Sequence, residues 1–360
     1  MRHIKMSWRS PARLGAGVIV AAALMAAGSA GASSAIGPVA ATAGGAVRGM
    51  TVNSTEEFLG LPYAAPPTGA LRWQPPAPPA PWSGVREAVT FAPHCPQPPT
   101  PFGMASKSED CLYLNVFAPA HATGNLPVMV WIHGGAFLVG ESNDYDPAAL
   151  VRRGVVVVTL NYRLGALGFL ADSALASRPG GPSGNYGLMD QQAALHWVQR
   201  NIRGFGGNPR DVTIFGQSTG GQSVLAQMAS PGARGLFTQA IVESGTDELT
   251  QAPLATAEAA GAAFAAKVGC AAGTPASTAA CLRSLPVSII VGNEDSFGYE
   301  PDVDGAVLPR SVKTALASGQ FNRVPVITGT NHDEYRLFVG YYGTPVTAAN
   351  YQAMIASTLG

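Results

Sequence analysis

The stretch "FGQSTGG", residues 215–221, places Ser218 at the centre of a Gly-x-Ser-x-Gly pattern. The apolar run "VTIF" overlaps its start, and "QSVLAQM", which suits a helix, overlaps its end. A strand, a sharp turn at serine and a helix make a nucleophile elbow, in which glycines let the turn close. The alternative is a serine in an ordinary glycine-rich turn. A serine hydroxyl attacks a carbonyl only when a base takes its proton, so a histidine and an acid that holds it are also needed.

A second glycine pattern, "WIHGGAF" at residues 131–137, follows another predicted strand. A loop of this kind presents unobstructed backbone N–H groups and is typical of an oxyanion hole. Each donor aimed at the oxyanion lowers the barrier by about 3 to 4 kcal/mol. By itself the pattern also fits a plain turn after a strand, but both patterns together favour acyl transfer at Ser218.

The elements that must position these loops alternate along the chain. Apolar runs predict strands at 126–132, 154–160 and 212–215, and a strand followed by a loop recurs at 239–245 and 324–330. Helical spacing predicts helices at 190–202 and 252–268. This alternation predicts an α/β fold with a mostly parallel, twisted sheet flanked by helices, and active groups at the carboxyl ends of the strands.

Charge is balanced and sparse in this chain. Its 360 residues include 22 basic and 22 acidic residues, and 12% of all residues are charged. Such a balance creates no field that would recruit nucleic acid or an anionic membrane surface. A small, neutral substrate fits better, and the length suits one large α/β domain or two domains.

The first residues have the features of an export signal. Basic residues stand in the first 13 positions, an apolar stretch runs from about 14 to 27, and Ala30 and Ala32 have cleavage-site spacing. The stretch is shorter than the roughly 20 apolar residues that span a bilayer, which disfavours a stable membrane anchor. We expect a signal peptide at 1–32, cleavage after Ala32 or Ala35, a secreted or extracytoplasmic location, and a domain at 36–360.

Four cysteines follow that segment, and an even number in an exported protein predicts two disulfides. Proximity in sequence favours Cys95 with Cys111 and Cys270 with Cys281. With no C-x-x-C pair and no histidine at ligand spacing, the sequence predicts no metal site. The proline-rich residues 60–110 are predicted to form an irregular segment, stapled by the first disulfide.

A series of stretches, in order, carries a family resemblance: "FLGLPYAAPPTGALRW", "SEDCLYLNV", "WIHGGAF", "NYRLGALGFL", "NYGLMDQQAALHWVQRNIRGFGGNPRDVTIFGQSTGG", "VDGAVLP" and "GTNHDE". Through them the chain resembles the type B carboxylesterases, the cholinesterase-like branch of the α/β-hydrolases. The resemblance implies an α/β-hydrolase fold, hydrolysis of a small neutral ester through an acyl-enzyme on Ser218, and no cofactor. No tryptophan lies between Cys95 and Cys111, so the aromatic choline-binding feature of cholinesterases has no counterpart there.

The resemblance also implies roles for individual residues. Glu334 is the expected triad acid, with Asp333 as its neighbouring rival, because a carboxylate fixes the imidazole tautomer. The expected oxyanion donors are the N–H groups of Gly135, Ala136 and Thr219. Two ion pairs are implied as well, Arg72 with Glu109 and Arg163 with Asp190, although independent, solvated charges are the usual case at a surface.

Two residues at the elbow depart from the family pattern. Gln217 replaces the usual glutamate, and Thr219 replaces the usual alanine. Thr219 keeps its N–H, but its branched side chain is expected to narrow the pocket beside Ser218.

The triad histidine is not evident. In this family it follows the acid, on a loop after the last strand, but no histidine follows Glu334. The other histidines have other expected places: His3 in the signal peptide, His94 in the disulfide segment, His121 on a polar loop, His133 in the oxyanion loop and His196 within a helix. His332 shares the loop of the acid, so its geometry disfavours it as the base.

This gap suggests a chain truncated before its last strand and histidine loop. It also keeps a second interpretation open, a non-catalytic binding or adhesion domain or an inactive, truncated pseudoenzyme.

Overall fold

The structure is a computed structural model that describes residues 37–100, 103–176, 181–271, 273–294, 298–334, 336 and 347–353. The predicted signal peptide at 1–32 lies outside these residues. The described residues from Gly37 onward form one compact unit.

The strands, in chain order, are β1 Val39–Thr42, β2 Gly45–Arg48, β3 Met50–Val52, β4 Thr55–Pro62, β5 Val85–Glu87, β6 Tyr113–Pro119, β7 Leu126–Ile132, β8 Val156–Leu160, β9 Gly207–Gln217, β10 Gln239–Glu243, β11 Ala252–Pro253, β12 Asp302–Val303 and β13 Val326–Gly329. The α-helices are α1 Ala148–Val151, α2 Gly165–Phe169, α3 Tyr186–Asn201, α4 Thr219–Ala229, α5 Leu254–Lys267, α6 Pro275–Ser284, α7 Val287–Gly292 and α8 Val312–Ala317.

Eight strands form the main sheet, in the order β13-β10-β9-β7-β8-β6-β4-β3. One part of the sheet is parallel and consists of β8, β7, β9, β10 and β13, in sheet order. The other part is antiparallel and joins β8 to β6, β4 and β3. The predicted α/β fold with a mostly parallel sheet is therefore confirmed. The parallel half carries the carboxyl ends after which the two glycine loops follow, at β7 and β9.

The core lies against one face of this parallel half. Alternate residues of β7, Val128, Val130 and Ile132, are fully buried, and Ile214 of β9 lies beside Val130 in the register. Helices α3 and α4 pack against β9. Each fully buried side chain of this type stabilises the fold by roughly 1.5 to 3 kcal/mol, so β7 and β9 form a rigid base for the loops that follow them.

The edge strand β13 differs from the central strands. All four of its residues are exposed, and the side chain of Ile327 is 68% exposed. Its only strand neighbour among the described residues is β10. Within that same part of the chain, no helix is long and apolar enough to cross a membrane.

Both predicted disulfides are present, Cys95–Cys111 and Cys270–Cys281. The segment at 60–110 is largely irregular, as predicted, but it includes the end of β4, the short strand β5 and a helical turn at Gly69–Leu71.

Both implied ion pairs are also present, and they are not the solvated surface pairs of the alternative. Arg72 binds both carboxylate oxygens of Glu109, at 2.7 and 2.6 Å. The same side chain donates to the carbonyl oxygens of Leu282, Arg283 and Leu285 at the end of α6. Arg72 therefore connects the first disulfide segment to the helix that carries Cys281.

Candidate active site

Ser218 occupies a strained turn between β9 and α4, with φ 57° and ψ −129°. A positive φ at a non-glycine residue costs on the order of 1 to 3 kcal/mol and persists only where the surroundings enforce it. Here the Ser218 N–H donates to the carbonyl oxygen of Glu243 at 2.9 Å, and its carbonyl accepts from Gln222 N–H at 2.9 Å. The half-buried Ser218 is thus held from both sides at the carboxyl end of the sheet.

The flanking glycines are required by close backbone contacts. A Cβ at Gly216 would lie 2.6 Å from the carbonyl oxygen of Ile132, and one at Gly220 would collide with that same oxygen. The elbow therefore packs directly on the end of β7, the strand that leads into the second glycine loop.

That second loop, His133–Gly140, is the predicted oxyanion loop, and it lies against Ser218. A Cβ at Gly134 would lie 3.2 Å from the Cβ of Ser218 and 2.5 Å from the carbonyl oxygen of Gln217. The loop closes on itself because the N–H groups of Leu138 and Val139 both donate to the carbonyl oxygen of Gly135. The structure thus brings together the two patterns that the sequence singles out.

The three expected oxyanion donors lie on these two loops. Gly135 and Ala136 have positive φ values of 112° and 59°, and Thr219 is the first residue of α4. Within the described part of the chain, their N–H groups donate to no backbone or side-chain acceptor. They are therefore available to a ligand, and the start of α4 favours negative charge.

The hydroxyl of Thr219 makes a contact that alanine could not make. It accepts a hydrogen bond from the N–H of Phe137, at 3.3 Å, and the Thr219 residue is buried. The side chain therefore links the elbow to the oxyanion loop. Gln217 is exposed, and nothing in the structure explains its replacement of glutamate.

Glu334 lies beyond the end of β13, two strands from Ser218. Its Oε2 atom accepts from the N–H of Asn331 at 2.8 Å. A hydrogen bond from the side chain of Ser244 is the main cause that lowers the pKa of Glu334. Its rival Asp333 is turned to other partners, the ring of His332 and the guanidinium of Arg336.

Ser244 is a candidate site residue that the sequence did not predict. It directly follows β10, has φ 48°, and donates its N–H to the carbonyl oxygen of Gly329 at 2.8 Å. The available signal was a serine before glycine at a strand end, "VESG". Ser244 therefore links the end of β10, which lies beside β9, to the end of β13 and to Glu334.

No histidine ring in the described residues is hydrogen-bonded to Ser218 or Glu334. His332, with 98% of its side chain exposed, contacts Asp333. His94 pairs with Glu141, His196 lies on α3, and His121 is exposed in a turn.

His133 is fully buried near the elbow but is occupied by structural contacts. Its Nδ1 lies 2.8 Å from the carbonyl oxygen of Gly134, and its ring stacks on Tyr162 at a centroid distance of 4.5 Å. Burial lowers the pKa of His133 to about 4. The ring therefore stays neutral and supports the oxyanion loop.

Comparison with known proteins adds a family. A profile described as the carboxylesterase family matches residues 37–357. The chain is 42% identical over 335 residues to a fumonisin B1 esterase of Sphingopyxis macrogoltabida, which covers 89% of this chain and 60% of that protein. It is also 42% identical over 310 residues to a para-nitrobenzyl esterase of Bacillus subtilis, covering 82% of this chain and 62% of the relative.

Solved structures agree with the fold. A PNB esterase superimposes with a TM-score of 0.78 at 39% identity, covering 89% of this chain and 68% of that one. A carboxylesterase of Geobacillus stearothermophilus, EST55 at pH 6.2, gives a TM-score of 0.79 at 37% identity, with coverages of 89% and 67%. The chain spans less than two thirds of the length of the curated relatives it matches.

Proposed function

Since this chain belongs to the carboxylesterase family, we propose that it hydrolyses carboxylic esters with Ser218 as the nucleophile. The contact between the elbow and the glycine loop carries the proposal, because Gly134 packs on the Cβ of Ser218. A substrate carbonyl that reaches the Ser218 Oγ there also lies beside the free N–H groups of the loop.

In the proposed reaction, the Ser218 Oγ attacks the ester carbonyl and the alcohol leaves, so that an acyl-enzyme forms. Water then attacks the acyl carbon, which releases the acid and restores the serine. The N–H groups of Gly135, Ala136 and Thr219 stabilise the oxyanion in both steps. Since they are fixed by the turn at Gly135 and by the start of α4, they need little reorganisation.

Glu334 is proposed as the acid that would hold the base. Its lowered pKa keeps it ionised at neutral pH, as this role requires. Asp333 is less suited, because its carboxylate contacts the exposed His332 and Arg336. We assign no base, and we expect His332→Ala to leave hydrolysis unchanged.

A second candidate function is a non-catalytic binding domain. The specific observation in its favour is that no histidine ring in the described residues is hydrogen-bonded to Ser218 or Glu334. The strained elbow favours the enzyme, because a binding surface has no need of a serine held at a positive φ.

The proposed substrate is a small, neutral carboxylic ester. The relatives have names as different as fumonisin B1 esterase and para-nitrobenzyl esterase, so the proposal extends to the ester class and not to one acid or alcohol. We also propose export, with residues 1–32 as signal and 36–360 as the domain. The leader pattern and the two disulfides support this proposal.

The test is hydrolysis of p-nitrophenyl butyrate by the wild type, Ser218→Ala and Ser83→Ala. Ser83 is an exposed serine far along the chain from the elbow, and it serves as the matched control. We expect Ser218→Ala alone to abolish hydrolysis, with unchanged circular dichroism. Wild-type rates in Ser218→Ala would assign the reaction elsewhere, and a folded but inactive wild type would favour the binding domain.

A further inference from the structure

Gln97 is a buried amide, 1% exposed, two residues after Cys95. Its Oε1 accepts the N–H of Gly140 at 2.9 Å, and its Nε2 donates to the carbonyl oxygen of Gly140 at 3.0 Å. The same Nε2 donates to the carbonyl oxygen of Cys95 at 3.2 Å. One side chain therefore satisfies both backbone groups of a single residue in the glycine loop.

This pattern requires a side chain that both accepts and donates, as the amide of Gln97 does. The Gly140 N–H requires an acceptor and the Gly140 carbonyl requires a donor, so the two contacts also fix which end of the amide is which. Glutamate would keep the acceptor but lose both donors. Methionine would fill the space and leave both buried backbone groups of Gly140 without partners, which is unfavourable.

Gly140 is the last residue of the oxyanion loop and packs against the first residues of that loop. It has φ 119°, and a Cβ there would lie 2.5 Å from the carbonyl oxygen of Gly134 and would collide with the ring of His133. Gly134 in turn packs on Ser218. A shift of Gly140 therefore displaces the residues that lead into the N–H groups of Gly135 and Ala136.

A second contact fixes the next residue of the chain to the same disulfide segment. The Nδ1 of His94 lies 2.8 Å from Oε2 of Glu141. Residues 94 and 97 thus bracket Cys95 and hold residues 140 and 141. The segment is itself closed, because Gln97 and Ser106 exchange two backbone hydrogen bonds of 3.1 Å and Cys95 is bonded to Cys111.

We propose that Gln97 is a positioning residue that clamps the end of the oxyanion loop at Gly140 and so fixes the donors that face Ser218. The catalytic part of this inference rests on the proposed function, whereas the clamp itself does not. The proline-rich disulfide segment thereby acquires a role in catalysis through one amide.

Steady-state kinetics of the full chain test the catalytic part. With p-nitrophenyl butyrate, we expect Gln97→Met to lower kcat by about 10- to 100-fold, as for a small misplacement of catalytic groups. KM should change little, because the donors act mainly in the transition state. Gln97→Glu should lower kcat less, since it keeps the acceptor for Gly140 N–H.

Gln191→Met is the matched control. Gln191 is a fully buried glutamine on α3 that donates to the hydroxyl of Ser223 and accepts from Gln227. Gln191→Met therefore also loses one donated and one accepted hydrogen bond of a buried amide. The partners in these bonds, Ser223 and Gln227, lie outside the oxyanion loop. We expect this variant to lower stability and leave kcat near that of the wild type.

Hydrogen exchange of the peptide that contains residues 134–140 reads the clamp without turnover. The Gly140 amide should exchange at least about tenfold faster in Gln97→Met than in the wild type, and at the same rate in Gln191→Met. Unchanged exchange in Gln97→Met overturns the clamp, and faster exchange with unchanged kcat overturns the positioning role. Absence of turnover in the wild type would contradict the proposed function instead, while exchange would still decide the clamp.

Discussion

The N–H of Phe137 donates to the hydroxyl oxygen of Thr219, which ties the oxyanion loop to the first residue of α4. The sequence predicted that Thr219 keeps its N–H and narrows the pocket beside Ser218, but it did not predict this acceptor. A neutral hydrogen bond of this kind is worth about 1 kcal/mol. Its catalytic effect is therefore measurable, but smaller than that of an oxyanion donor.

Thr219→Val removes the hydroxyl and keeps the shape, whereas Thr219→Ser keeps the hydroxyl. We expect the valine variant to lower kcat for p-nitrophenyl butyrate by roughly three- to tenfold, by freeing the N–H of Phe137. The serine variant should stay close to the wild type. Equal rates in Thr219→Val and the wild type would show that this bond does not hold the loop.

Ser244 is expected to set the acidity of Glu334. Because its hydrogen bond favours the ionised carboxylate, Ser244→Ala should raise the pKa of Glu334 toward the ordinary value for glutamate. Carbon-13 NMR titration of the Glu334 carboxyl measures this directly. Ser230→Ala, at the end of α4, is the control, and an unshifted titration in Ser244→Ala would contradict the assignment.

Asp302 should make the protein less stable as the pH rises. It is 1% exposed, and both of its carboxylate oxygens lack a hydrogen-bond partner among the described residues. Burial, with the nearby charge of Asp304 as a smaller cause, raises the pKa of Asp302 to about 8. Between about pH 4 and about pH 8 the unfolded chain has lost this proton and the folded chain keeps it, so the free energy of unfolding falls as the pH rises.

Asp302→Asn removes this titration. We expect the variant to be more stable than the wild type at about pH 9, by on the order of a few kcal/mol at about 1.36 kcal/mol per pKa unit, and its stability to depend less on pH. Urea unfolding at several pH values measures both effects. Asp333→Asn, at an exposed position, serves as control. If the free energy of unfolding depends on pH equally in Asp302→Asn and in the wild type, Asp302 does not hold an extra proton in the folded chain.

The ion pair between Arg163 and Asp190 should be costly to break. Its charged atoms lie 2.7 and 2.8 Å apart, and the two side chains are 3% and 0% exposed. Asp190→Asn or Arg163→Met alone should lower the free energy of unfolding by about 3 to 5 kcal/mol, because each leaves a buried group without its partner. The double variant Arg163→Met/Asp190→Leu should lose less than either single variant, and a strictly additive loss in urea unfolding would contradict this.

The central strands are well predicted from the sequence because their burial leaves a clear pattern. The strand at 126–132 has the bounds of β7, and the strand at 154–160 contains β8. The elbow was predicted equally well, since the close approach of its backbone to the carbonyl oxygen of Ile132 requires a glycine at Gly216. In the central strands and at the elbow, the residue types that the local structure needs are also those that the packing needs. The sequence pattern therefore predicts these elements without knowledge of the fold.

The starts of two elements were predicted too late. Helix α3 begins at Tyr186 and not at 190, after Asn185 in a left-handed turn with φ 52° and without a capping side chain. Strand β9 begins at Gly207 and not at 212, because Gly207 already pairs with Leu126 of β7, ahead of an irregularity in the register that ends where Val212 pairs with Val128. In both cases tertiary packing overrides a weak local signal.

Two roles depend on contacts between distant parts of the chain. Gln97 and Gly140 are brought together by the disulfide segment, and Ser244 meets Glu334 only because β10 and β13 are neighbours. A single glutamine or serine has no periodicity to report such a partner. The two glycine patterns could be recognised in the sequence, but the contacts of Gln97 and Ser244 could not.

The ends of β9, β10 and β13 are joined by two backbone hydrogen bonds, Ser218 N–H to Glu243 and Ser244 N–H to Gly329. The distance from Ser218 to the loop of Glu334 is therefore set by the spacing of neighbouring strands, about 4.8 Å per step, and not by the length of chain between them. A change in the length of residues 246–323, which include α5 to α8, would therefore leave that separation unchanged as long as β9, β10 and β13 stay neighbours. The geometry of the candidate site is thus a property of the sheet, and it can stay constant while the chain between the strands varies.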